Sequence, residues 1–199
     1  MTVKRLIDGL VGHIEIAIDT PKSIVGMALV AHPHPLFGGT MDNKVAQTLA
    51  RTLNDLGYIT VRPNFRGVGG TAGEHDHGVA ETADMLHVLQ WMCSEFGSAL
   101  PLVLAGFSFG SFVQSRVAAA LDAPIQRMIM VGTAAGKWDV LPVPSDTIVI
   151  HGELDDVIPL VDVMRWATPQ KLPITVIPAA GHFFHGDLHL LKQIIHQQW

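Results

Sequence analysis

Apolar and polar residues alternate along "HIEIAIDT", the period-two pattern of a half-buried strand. Further on, "IVGMALVAH" is apolar almost without interruption, as expected of a strand covered on both faces. "YITVRPNF", "LPLVLAG", "QRMIMVG", "DTIVIHG" and "ITVIPAAG" read as further strands. Between them the apolar spacing changes to that of helices. "MDNKVAQTLARTLNDLG" has Asp42 as the expected N-cap and Gly57 as the stop. "VAETADMLHVLQWMCSEFG" and "FGSFVQSRVAAALD" follow, then "LVDVMRWATP", ended by Pro169, and finally "LHLLKQIIHQQW". "RGVGGTAGEHDHG" is too rich in glycine for either element and is expected to be a loop.

Strands separated by helices predict an α/β fold with a mostly parallel central sheet and helices on both faces. No repeat, low-complexity tract or linker divides the chain, so residues 1–199 are expected to form one domain. In such sheets chemistry gathers at the carboxyl ends of the strands. Those ends read "HPHPLFGG", "RGVGG", "GFSFG", "HGELDD" and "AGHFFHG", the most polar and most His- and Gly-rich parts of the sequence.

Composition narrows the possibilities. With 48% apolar residues and 16% charged ones, the chain has enough apolar surface for a sizeable core. The net charge of −5 and the lack of any Lys/Arg cluster argue against a nucleic-acid partner. The single cysteine, Cys93, cannot form an internal disulfide and is expected to be a buried bystander; with no signal peptide in "MTVKRLIDG", a cytoplasmic location is expected. Phe96 to Ser115 carries no charged side chain, but Pro101, Gly106, Ser108, Gly110 and Ser111 make it a strand, a turn and a helix start rather than a membrane span.

"GFSFG" sets Ser108 between Gly106 and Gly110 at a strand-to-helix turn. A hydroxyl is a weak nucleophile near neutrality and needs a base, itself oriented by a third group. Glycines on either side let strand and helix approach closely, leaving Ser108 on a strained, exposed bend at the positive end of the following helix. Later strand ends supply an aspartate in "HGELDDVIP", Asp155 or Asp156, and a histidine in "AGHFFHG". His182 directly follows the small residues "AAG" and is preferred over His185. Ser, Asp, His in that chain order is the arrangement of the α/β-hydrolase fold. The pairs His32/His34 and His75/His77 lack an accompanying Cys or carboxylate set with zinc spacing, so no metal is expected. "RGVGG" lacks the pattern of a phosphate-cradling loop, and Asn64 and Arg66 are expected to brace loops.

"AHPHPLFGGTMDNK", "RPNFRGVGGTAG", "GFSFG", "HGELDDVIP" and "GHFFHG" together resemble the small, lidless bacterial α/β-hydrolases, which include predicted serine hydrolases and carboxylesterases and are distantly similar to dienelactone hydrolases. The resemblance spans nearly the whole chain. Counting back from Pro159 in the resembling motif places the acid at Asp155. Dienelactone hydrolases use a cysteine nucleophile where this chain has Ser108, so their substrate is not carried over. The resemblance implies a serine hydrolase acting on carboxylic esters of small molecules through Ser108, His182 and Asp155, with no cofactor. A thioesterase or acyltransferase on the same residues, or a non-catalytic binding module of this fold, are the alternatives.

An oxyanion needs two preorganised donors. One is the Phe109 backbone N–H; the other is expected from "HPHPLFGG". Pro33 and Pro35 have no N–H, which leaves His34 and Leu36, with Leu36 favoured. Only "TAAGKWDVLPVPS", thirteen residues, separates "RMIMVG" from the next strand, too few for a lid. An open site is expected, walled by Leu36, Phe37, Phe109, Trp138 and Phe183.

Overall fold

The computed structural model describes residues 2–199. Eight strands form one sheet: β1 (Thr2–Asp8), β2 (His13–Asp19), β3 (Gly26–Ala31), β4 (Tyr58–Pro63), β5 (Leu102–Phe107), β6 (Arg127–Val131), β7 (Ile148–Gly152) and β8 (Thr175–Ile177), in the order β1-β2-β4-β3-β5-β6-β7-β8. β1, β2 and β4 pair antiparallel; every pairing from β4 through β3 to β8 is parallel. Five helices connect them: α1 (Lys44–Asp55), α2 (Val79–Phe96), α3 (Phe109–Ala120), α4 (Leu160–Ala167) and α5 (Leu188–Gln198).

Two apolar cores sandwich the sheet. Met85, Val88 and Met92 of α2, Phe112 and Val113 of α3, and Val163 of α4 pack with Leu29, Val61 and Leu104 on one face. Val45, Leu49 and Leu53 of α1 and Leu191 and Ile195 of α5 pack with Val30, Val103 and Ile150 on the other. The central strands therefore bury both faces: every residue of β3 and β4 is buried, β3 is a continuous apolar run, and β4 is interrupted only by the buried Thr60 and Arg62.

The chain leaves β3 for α1 on one face and β5 for α3 on the other. The crevice between these two strands is the place where open α/β sheets bind ligands. Ala31 pairs with Gly106, and Phe107 with Val131, so the loops after β3, β5 and β6 emerge side by side.

Two expectations change. β1 was not anticipated: it is an edge strand whose only buried residue is Ile7, and backbone pairing with β2 rather than apolar burial defines it. Asp42 is not the cap of α1. Asn43 is, its side-chain oxygen accepting the N–H groups of Val45 at 2.9 Å and Ala46 at 3.3 Å, while Asp42 pairs with Lys4 at 2.6 Å. The expected membrane-free reading of 96–115 agrees with the observed β5–α3 unit, and no helix among the described residues is long and apolar enough to cross a membrane.

Candidate active site

β5 ends in a turn that holds Ser108 at φ 54° and ψ −122°. A serine gains nothing locally in that region, and such a backbone costs about 1–3 kcal/mol that surrounding structure must offset. The Ser108 N–H bonds Val131 O at 2.9 Å, and its C=O accepts the Ser111 N–H at 2.8 Å and the Ser111 hydroxyl at 2.6 Å. The glycines make the bend possible. A Cβ on Gly106 would lie 2.5 Å from Gly110 O, and one on Gly110 would lie 2.4 Å from Ala31 O, both backbone atoms that cannot yield.

The Ser108 hydroxyl lies 3.0 Å from His182 Nε2, and His182 Nδ1 lies 2.7 Å from Asp155 Oδ2. The strand ends dictate this meeting. Gly152 pairs with Ile177, so the loops carrying Asp155 and His182 lie next to each other, and the missing Cβ at Gly152 lets Ala180 O approach to where a side chain would be only 2.4 Å away. The imidazole is held between Phe107, with ring centroids 5.0 Å apart, and Phe183, edge-on at 5.1 Å. Gly132 leaves room beneath it.

Asp155 is surrounded by donors. Its Oδ1 accepts the N–H groups of Val157 at 2.9 Å and Ile158 at 2.7 Å. Its Oδ2 faces His182 and also His151 Nε2 at 3.4 Å. Burial alone would push the carboxyl up, but the hydrogen bonds from His182 and the Ile158 N–H outweigh it and hold Asp155 below the usual carboxylate range. His151 is fully buried and donates from Nε2 to Ile158 O at 2.9 Å; burial lowers its basicity, so it stays neutral beside the acid. Asp156, the alternative acid, is exposed.

Ser108 and His182 open onto a cavity of about 340 Å³, walled by Phe37, Phe183, Pro33, His34, Val157 and Lys137 among others. Phe37 is 86% exposed and forms an open apolar rim. Of the five expected walls, Phe37 and Phe183 are present. Trp138 is not: half-buried, it sits behind His34, with ring centroids 5.5 Å apart, stacks on Phe112 at 5.1 Å and borders a separate hollow with Asp162 and Trp166. Phe109 is buried beneath the floor, edge-on to Phe65. Leu36 is 68% exposed and outside the cavity.

The expected oxyanion donor is also corrected. Pro35–Phe37 form a 3₁₀ turn that directs the Leu36 N–H to His34 Nδ1 at 3.2 Å, so that amide is already engaged. The His34 N–H has no partner among the described residues, and neither has the Phe109 N–H. His34, the other candidate that the sequence left in this loop, lines the cavity; Pro33, Val157 and Lys137 were missed as lining residues because their place depends on how separate loops converge. The rule that a hydroxyl-activating site borrows a donor from the loop after β3 found His34 but carries no signal for Val157 or Lys137.

His32, His75 and the loop residues Asn64 and Arg66 have structural partners. His32 bonds Pro33 O and the Phe65 N–H, and His75 Nδ1 lies 2.7 Å from the buried Glu81. Asn64 accepts the Met41 N–H and donates to Glu15, and Arg66 makes two bonds to Asp84, so both do brace loops.

This fold and this arrangement of strand ends define a class. A family model described as the alpha/beta hydrolase fold matches residues 34–146, and the chain belongs to that family. Its fold is that of the small α/β serine hydrolases without a lid. A lidless α/β serine hydrolase of Xanthomonas campestris, XC6422, is similar over 99% of this chain and 93% of its own, with a TM-score of 0.91 and 36% identity. An alpha-beta serine hydrolase homologue of Coxiella burnetii covers 99% of this chain and 98% of its own, with a TM-score of 0.90 and 37% identity. The uncharacterized protein RP471 of Rickettsia prowazekii is 33% identical over 172 residues, 79% of this chain and 71% of that protein.

Proposed function

We propose that the chain is a serine hydrolase that cleaves carboxylic esters of small molecules through an acyl-enzyme. The observation that carries this reading is the unbroken chain Ser108 Oγ–His182 Nε2, His182 Nδ1–Asp155 on a serine held at positive φ. His182 takes the Ser108 proton as Oγ attacks the acyl carbon. Asp155 accepts from Nδ1, keeps Nε2 free to act as base and stabilises the imidazolium. The Phe109 and His34 N–H groups receive the oxyanion. The imidazolium then protonates the leaving alcohol, and water attacks the acyl-enzyme with the same base.

The cavity of about 340 Å³, rimmed by the exposed Phe37, favours small esters. No cofactor takes part in these steps. The lone Cys93 fits a reducing, cytoplasmic setting. Turnover of p-nitrophenyl acetate by the wild-type chain and its loss in Ser108→Ala test the reading. A folded wild-type protein without turnover on esters or thioesters supports a binding module instead, and preference for thioesters supports the thioesterase alternative.

A further inference from the structure

We propose that His32, which touches no substrate, is a positioning residue that aims the oxyanion-hole amide of His34. The inference rests on the reading of the His34 N–H as an oxyanion donor. His32 is fully buried and is the first residue of the loop that leaves β3. The Phe65 N–H donates to its Nε2 at 2.9 Å, so Nε2 carries no proton. A neutral ring therefore carries its proton on Nδ1, and Nδ1 lies 2.7 Å from Pro33 O. The tautomer is thus fixed by a backbone amide from β4's own exit, and the Nδ1–H is delivered to one carbonyl.

That carbonyl belongs to the Pro33–His34 peptide. No cis peptide bond is present among the described residues, so its C=O and the His34 N–H point in opposite directions. Pinning Pro33 O inward against the buried imidazole turns the His34 N–H outward, away from the core. Both residues of this peptide line the cavity that contains Ser108. Gly39 makes room for the arrangement, because a Cβ there would lie 2.1 Å from Pro33 O. The adjoining carbonyls of Ala31 and His32 rest directly on Gly110, which locks the loop to the start of α3 and so to Phe109 N–H, the other donor.

Burial also keeps this ring neutral, lowering its pKa to about 4 against the weaker opposing effect of the Pro33 carbonyl. An imidazolium could not accept the Phe65 N–H, so the clamp requires the neutral form.

The two amide replacements separate positioning from packing. His32→Asn places an amide nitrogen at the δ position, able to reach Pro33 O, and loses the acceptor for Phe65. His32→Gln places its amide at the ε position, able to accept from Phe65, and loses the δ donor. Both lose the ring that packs at 4.4 Å on Phe65. With p-nitrophenyl acetate, kcat of the Gln variant is expected to fall about 10²-fold, the scale of losing one oxyanion donor. The Asn variant is expected to retain most of kcat, with KM little changed in either. Affinity for a trifluoromethyl ketone, whose adduct carries the oxyanion, should fall with kcat. Equal kcat in the two variants, a better Gln variant, or an effect confined to KM would overturn the proposal. Should either variant fail to fold, ¹⁵N spectra of wild-type histidines at neutral pH decide it: a proton on Nδ1 of His32 supports the clamp, and one on Nε2 refutes it. Ser108→Ala and labelling of Ser108 test independently the serine-hydrolase reading that the oxyanion assignment presupposes, because neither depends on His32.

Discussion

Asp155→Asn separates the role of the carboxylate from that of its shape. The wild-type group accepts two backbone N–H bonds on Oδ1 and faces the N–H groups of His182 and His151 on Oδ2. An asparagine can keep its oxygen toward Val157 and Ile158, which sets its NH₂ against His182. The imidazole must then shift its proton to Nε2, where it can only donate to Ser108. The opposite amide orientation would face the NH₂ toward two buried N–H groups, at about 1–3 kcal/mol each, so the inactive arrangement wins. Loss of the correct tautomer costs about 10⁴-fold in kcat, or about 5 kcal/mol of transition-state stabilisation. The fold should survive, since the Oδ1 bonds persist; the stability that Asp155 adds is present above the ordinary carboxyl range and is lost as pH falls through its depressed folded value. The assay is kcat on p-nitrophenyl acetate beside thermal melting, with the exposed Asp156→Asn as control, expected within about twofold because surface substitutions rarely matter. An Asp155→Asn enzyme within tenfold of wild type, or a larger loss in Asp156→Asn, would refute the assignment.

Gly110→Ala should destabilise the protein by about 3 kcal/mol or more, because its Cβ would stand 2.4 Å from Ala31 O and 2.6 Å from His32 O; an unchanged melting curve would contradict this. His32 should make stability pH-dependent: its folded pKa of about 4 lies below the unfolded value of 6.5, so its contribution is complete above pH 6.5 and is lost as pH falls toward 4. The loss amounts to about 3 kcal/mol. Denaturant unfolding across that range should show the slope, His151 acting in the same sense, and His32→Asn should flatten it. Across p-nitrophenyl esters from acetate to palmitate, kcat/KM should favour short chains, since an open site buries few methylenes at about 0.8 kcal/mol each; a rise toward palmitate, or a jump above the critical micelle concentration, would contradict the lidless reading.

The parts of this protein visible in its sequence are those where local pattern and tertiary role coincide. Strands buried on both faces show as unbroken apolar runs, and the elbow shows as glycines that flank a serine because the backbone there tolerates no Cβ. β1 escaped because strand pairing holds it and five of its first six residues point to solvent. Trp138 was misplaced because the direction of its loop depends on distant partners, His34 and Phe112. Leu36 turns to His34 through a local 3₁₀ bend, and the Pro33–His34 peptide is oriented through His32 by the Phe65 amide, 33 residues further on. No spacing rule within one loop contains that last, long-range dependence.

The proposed chemistry stands or falls with Ser108 as an activated nucleophile. Labelling the folded wild-type protein with a fluorophosphonate and mapping the adduct by peptide mass spectrometry tests it most directly. One adduct per chain is expected, on Ser108, abolished in Ser108→Ala and strongly slowed in Asp155→Asn. Absence of labelling in folded protein, or an adduct on the neighbouring Ser111 or Ser115, would contradict it.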